Sequence, residues 1–180
     1  MKELVSLCSR LDFQSIRTHI QSGNVVFESS LTEECIRSAL EKALALKMGK
    51  TIDVMVRTPG EMRAVLNSNP FSDREPAKVA VAFLQEPPAH DLTRNVIAPG
   101  GEQVHPGRRE IYIYYPNGMG RSKLKLPLNG GRATVRNMNT VAKLVAMTSI
   151  GAESLSHDSR RPDGSCIASC FPQAASIRFP

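Results

Sequence analysis

The sequence predicts an α/β protein of the α+β kind, two tandem units of βαββαβ type, the first lacking its opening strand. Three observations lead there. Apolar residues switch repeatedly between helical and strand spacing along the chain. Three of the predicted helices begin on a recognisable capping residue, Ser30, Thr58 or Asn137. A polar connection, residues 71–77 (FSDREPA), separates two stretches of similar rhythm, 1–70 and 78–150.

In the first stretch, Leu4, Leu7, Cys8 and Leu11 stand at i, i+3, i+4 and i+7, one face of a helix over 2–11. Residues 15–20 and 24–28 are β-prone runs around Gln21-Ser22-Gly23-Asn24, a hairpin connection in length and composition. Ser30 with Glu33 three residues later matches a capping box, and Ile36, Leu40, Ala43 and Leu44 give the following helix its apolar stripe. Gly49, flanked by Lys47 and Lys50, marks the exit, where positive charge suits the helix dipole. Residues 51–57 form a strand with Ile52, Val54 and Val56 on one face. Thr58-Pro59-Gly60-Glu61 then opens a short helix carrying Met62, Val65 and Leu66.

The second stretch predicts a strand over 78–84, a short helix over 91–97, a strand near 102–105 and another over 110–114. A Gly-rich loop, 116–122, opens a helical stretch through Lys125, and a strand over 133–136 follows. The last helix runs over 138–148, with Asn137 as its cap and Val141, Leu144 and Val145 as its stripe. Each half is thus ferredoxin-like in order. In that arrangement the first strand is central and pairs on both edges, so its absence from the first half predicts an open slot. Residues 151–180, rich in Ser, Arg, Pro and Cys without sustained periodicity, predict a disordered or non-family tail.

The 180 residues suffice for one domain or two small ones. No apolar run approaches the roughly 20 residues that span a bilayer, and Glu3, Ser6, Ser9, Arg10 and Asp12 interrupt the N-terminus, so no signal peptide and no membrane partner are expected. A cytoplasmic location is the default. Four cysteines at 8, 35, 166 and 170 include no CxxC pair, and His157 completes no zinc pattern, so free thiols and no metal are expected. The net charge is +6. Residues 117–150 contain Arg121, Lys123, Lys125, Arg132, Arg136 and Lys143 and no acidic residue, which equals the whole excess and points to an anionic partner.

Four stretches carry a resemblance: IRTHIQSGNVVFES (16–29), KVAVAFLQEPP (78–88), YIYYPNGMGRSKL (112–124) and ATVRNMNTVAKL (133–144). Over about residues 1–149 the chain resembles the bacterial domain of unknown function family 1697. The resemblance implies two ferredoxin-like units in tandem and no particular reaction. It also implies a strand and a loop of the type RGINVGG ahead of the helix that begins here at Met1, so the chain looks clipped. Met138 stands where the family commonly has Trp, and His19 where it commonly has Tyr.

The best site candidate is the loop Pro116-Asn117-Gly118-Met119-Gly120-Arg121-Ser122-Lys123. Gly118 and Gly120 let backbone N–H groups approach an anion, a helix start adds its dipole, and Arg121 and Lys123 add charge around Ser122. The spacing is not that of a nucleotide-binding P-loop; the alternative is a turn that needs a left-handed glycine. Arg136 and Asn137 offer a second basic helix start, and if both starts face one cleft, Arg121, Lys123 and Arg136 hold one anion. Tyr112 and Tyr114 share a strand face on which bases could stack, or they pack under helices. No HExxH, GxSxG or GxGxxG pattern is present, and none of the four histidines has a local catalytic partner. The expected role is binding an anionic small molecule or nucleotide without a cofactor. The alternatives are a truncated remnant, a metabolic enzyme of unassigned reaction and a single-stranded nucleic-acid binder; the oligomeric state is not readable.

Overall fold

The computed structural model describes residues 2–19, 23–128, 133–149 and 165–172. In chain order the elements are α1 (Lys2–Arg10), β1 (Gln14–His19), β2 (Asn24–Glu28), α2 (Glu33–Met48), β3 (Ile52–Arg57), α3 (Pro59–Asn67), β4 (Val79–Leu84), β5 (Gln103–Pro106), β6 (Glu110–Tyr114), β7 (Ala133–Asn137), α4 (Met138–Ser149) and β8 (Ser165–Pro172). They build a mixed α/β protein with two antiparallel four-stranded sheets, ordered β1-β2-β8-β3 and β5-β6-β4-β7. Two compact units result, one running to Arg63 and resuming at Lys143, the other from Ala64 to Ala142.

In the first unit, α1 and α2 cover one sheet face. Leu4, Leu7 and Cys8 from α1 and Ile36, Leu40 and Leu44 from α2 are buried with Val25, Phe27, Ile52, Val54 and Val56 from the strands. The helix stripes and the strand alternation therefore point at each other, as their periods require. Phe13 stacks on Phe27 with ring centroids 4.3 Å apart. It gets there because, just beyond α1, Asp12 with φ 57° turns the chain back so that the Phe13 N–H reaches the Cys8 carbonyl at 3.2 Å. The α2 cap is Thr32, not Ser30: its side chain accepts from the Cys35 N–H at 3.3 Å, two residues later than the Ser30/Glu33 pattern suggests. Ser29 is occupied locally, accepting from the Leu31 N–H. Gly49 closes α2 with φ 67° and an N–H to the Ala45 carbonyl. On β3, an edge strand, the Val54 N–H is taken by the Glu41 carboxylate at 3.2 Å.

The second unit is arranged about β4, buried along its whole length. On one face Ala80, Ala82, Ile111, Ile113 and Tyr115 pack with Leu92 and Leu124, with Met119 and Val135 against them. The opposite face carries Val79, Val81, Tyr112 and Arg136, which the ladder registers place side by side. Here the Tyr112 hydroxyl donates to the Val65 carbonyl of α3 at 3.0 Å. The α3 start forms the expected box: Thr58 N–H donates to Glu61 at 2.9 Å, and Glu61 N–H donates to the Thr58 hydroxyl at 3.2 Å.

Three expectations need correction. The helix predicted over 91–97 is only a 3-10 turn, Leu92–Asn95, and the helical stretch through Lys125 is only Met119–Arg121. Lys125 instead forms a two-way backbone bridge with Ile97 at 2.9 and 3.2 Å. Within the tail, Ser165–Pro172 is not disordered but forms β8, which runs antiparallel to β2 and β3 and fills the slot expected to be open. The remainder of the tail, and the 20–22 portion of the hairpin connection, lie outside the described residues. No helix among the described residues is long and apolar enough to cross a membrane.

Cys8 is fully buried, and burial pushes its thiol up to about 11, whereas Cys35 is exposed. Alkylation by iodoacetamide at pH 8, followed by peptide mass spectrometry, should modify Cys35 at least tenfold faster than Cys8. Equal rates would mean that α1 does not hold its place over the sheet.

Candidate functional site

The Gly-rich loop begins where β6 leaves the sheet. Pro116 and Asn117 make a turn in which the Gly118 N–H returns to the Tyr115 carbonyl at 3.1 Å, and Gly118 takes φ 82°. That conformation, with open space where a Cβ would sit, is the glycine requirement the sequence raised; Gly120 has no positive φ. The Asn117 amide donates to the Gly100 carbonyl at 3.1 Å, and the Lys125–Ile97 bridge secures the far end. The loop is therefore laid along the 97–102 segment.

Its fastening is a buried carboxylate. Ser122, buried, donates its hydroxyl to Glu102 in a short hydrogen bond and accepts from the Leu124 N–H at 3.1 Å. The second Glu102 oxygen accepts from the Gly100 N–H at 2.8 Å. Burial raises the Glu102 carboxyl, but the Ser122 and backbone hydrogen bonds outweigh it and hold the group below the usual carboxylate range. Tyr115 is buried nearby, and desolvation, with the Glu102 charge second, pushes its phenol up. A Cβ at Gly100 would lie 2.7 Å from a Glu102 oxygen, so the carboxylate approaches the backbone as closely as only glycine permits. Glu110 repeats the device, accepting from the Arg108 and Arg109 N–H groups at 3.1 and 3.0 Å in the β5–β6 turn. Glu102 and Glu110 belong to no motif; their signal in the sequence is a carboxylate two or three residues after a glycine, in Gly100-Gly101-Glu102 and Gly107-Arg108-Arg109-Glu110.

The predicted site residues do not all converge. Arg121 and Lys123 are exposed, while Ser122 is committed to Glu102. The loop packs Met119 and Leu124 on the face of the second sheet that carries Val135. Arg136 alternates to the other face, is buried, and donates to the Val135 carbonyl at 2.8 Å. One cleft holding Arg121, Lys123 and Arg136 is therefore not formed. Asn137 caps α4, accepting from the Thr140 N–H at 2.9 Å. Tyr112 is buried, and Tyr114 lies beside Phe71 with Arg74 over its ring at 5.2 Å, so these two rings are engaged within the unit. His19 is pushed down by burial and then by the Lys143 charge, and is neutral near pH 7. Among the described residues no group of three His, Cys, Asp or Glu side chains is placed to hold a metal ion.

One protein-family model, described as a protein of unknown function (DUF1697), matches residues 1–112. The matched span stops at Tyr112, ahead of the Gly-rich loop. No curated protein and no solved structure matches the chain.

Because Glu102 holds its proton more weakly folded than unfolded, its stabilisation is complete above the pKa of the unfolded carboxyl and fades as pH falls through the lower, folded value. At pH 7, Glu102→Ala should cost about 1–3 kcal/mol in urea unfolding, the scale of a lost charge-assisted hydrogen bond. The gap between wild type and variant should shrink toward pH 3. A gap independent of pH would show that the charge on Glu102 is irrelevant to the loop.

Proposed function

The chain belongs to this family of proteins of unknown function, DUF1697, and from that premise we propose that its second unit binds a phosphate-bearing small molecule or nucleotide at the surface around Arg121 and Lys123. One observation carries the proposal. Residues 92–149 contain nine basic and two acidic residues, and the two acids, Glu102 and Glu110, are the buried carboxylates that tie down loops. In that stretch Arg94, Arg108, Arg121, Lys123 and Lys125 are exposed, whereas neither of its two carboxylates is. Exposed positive charge raises the local concentration of anions.

The binding element in this reading is the set of exposed cations with the Gly118 and Gly120 backbone, rather than a helix dipole. The three-residue turn Met119–Arg121 supplies little dipole, and Ser122 already has its partners. Strand order also supports taking each unit as ferredoxin-like. In the second sheet the unit's first strand, β4, lies between the hairpin strand β6 and the last strand β7, with 3-10 turns where longer helices would stand.

The test is titration of inorganic phosphate, then ATP, into wild-type protein and into the Arg121→Glu/Lys123→Glu double variant. Expected are saturable binding by wild type that weakens with added salt, at least a tenfold loss in the variant, and a thermal midpoint within about 2 °C, as exposed substitutions allow. Absence of wild-type binding, or equal affinity in the variant, would overturn the proposal.

A further inference from the structure

The two sheets place a strand in the same position, between a hairpin strand and the strand that follows the next stretch of chain. In the second sheet that strand is β4, the first of its unit; in the first sheet it is β8, reached only after α4 and residues 150–164. The sequences differ as much as the routes. β4 is Val-Ala-Val-Ala-Phe-Leu, the unbroken apolar run expected of a strand buried on both faces. β8 is Ser-Cys-Ile-Ala-Ser-Cys-Phe-Pro, with two serines and a terminal proline.

The walls of the β8 slot are, by contrast, well made for their position. Asn24, Val25, Val26 and Phe27 of β2 are buried, as are Ile52, Val54, Met55, Val56 and Arg57 of β3. Both walls run antiparallel to β8, hence parallel to each other, and without an inserted strand they would stand roughly 9–10 Å apart with facing rows of backbone donors and acceptors. Only a single extended chain fits that spacing. The geometry points to the β2–β3 gap being a strand-acceptor site, for which β8 is a tethered and replaceable ligand. Its recognition is carried by the backbone: residues 24–28 of β2 pair with 165–169, and 52–57 of β3 with 167–172. The site's ligand class is a short extended peptide of low charge. The tether keeps β8 at high effective concentration, so a free peptide enters only when β8 is weakened.

This inference does not depend on the anion proposal and is tested apart from it, on the full chain. Hydrogen exchange on wild type should show β8 amides exchanging at least tenfold faster than those of β4; equal protection would overturn replaceability. An Ala168→Pro variant, which removes an N–H from a strand paired on both edges, weakens the resident strand. A fluorescent peptide spanning residues 165–172, with both cysteines as serine, should bind this variant at least tenfold more tightly than wild type and should restore protection to β2 and β3. Equal binding to both proteins, no binding to the variant, or a variant that stays unfolded with peptide present would each overturn the acceptor site.

Discussion

A strand in the middle of an antiparallel sheet must satisfy backbone groups on both its edges and bury side chains on both its faces. In the second unit β4 meets that demand, and the rest follows from its registers. Ala80 and Ala82 face one core, Val79 and Val81 the other, and β6 and β7 are held at fixed offsets on either side. The loop with the exposed cations starts at the end of β6, so its place on the sheet is decided by the pairing of Tyr114 with Val79. In the first unit the same demand is met by β8, at the cost of closing a long stretch of chain. Loop-closure entropy grows only slowly with length, which makes such a late partner affordable.

The buried carboxylates link fold to surface. Glu102 and Glu110 take backbone N–H groups that tight turns would otherwise leave unpaired. A carboxylate used this way is withdrawn from the surface while the neighbouring cations stay in solvent. The basic character of the region is therefore partly a consequence of loop engineering: the sequence has acids there, but they are spent inside. Arg121 and Lys123 flank Ser122, whose hydroxyl is anchored to Glu102, so the cations are carried on a fastened strap.

Much of the architecture was legible because it rests on local rules. The α1 stripe, the Gly49 exit, the Thr58/Glu61 box, the Asn137 cap and strands β2 and β6 all stand where period and capping chemistry put them. The shift of the α2 cap from Ser30 to Thr32 shows the limit of that logic, since three candidate oxygens lie within four residues and only geometry chooses among them. The 120–125 stretch has helical spacing, but Lys125 found a backbone partner in Ile97, a long-range competitor invisible in sequence. β8 was unreadable for a deeper reason: its strand character comes from two neighbours more than a hundred residues away, not from its own alternation.

The site was less legible than the fold, and Arg136 explains why. A basic residue just before a helix start resembles an anion ligand, but Arg57 stands in the same relation to α3. Each arginine follows a valine, at the last position of β3 for Arg57 and the last but one of β7 for Arg136; each is buried and donates to that valine's carbonyl, at 2.7 Å and 2.8 Å. Each is followed by a residue whose side chain caps the next helix, Thr58 and Asn137. A buried guanidinium is tolerable only when bonded, and both units solve that problem identically. Arg57 does so in a stretch with no charge excess, with Glu33 3.9 Å away. A device repeated in both units is accounted for by the fold they share. What is not repeated is the solvent-facing pair Arg121 and Lys123 on its carboxylate-anchored loop, and that asymmetry is where a function particular to the second unit has room to reside.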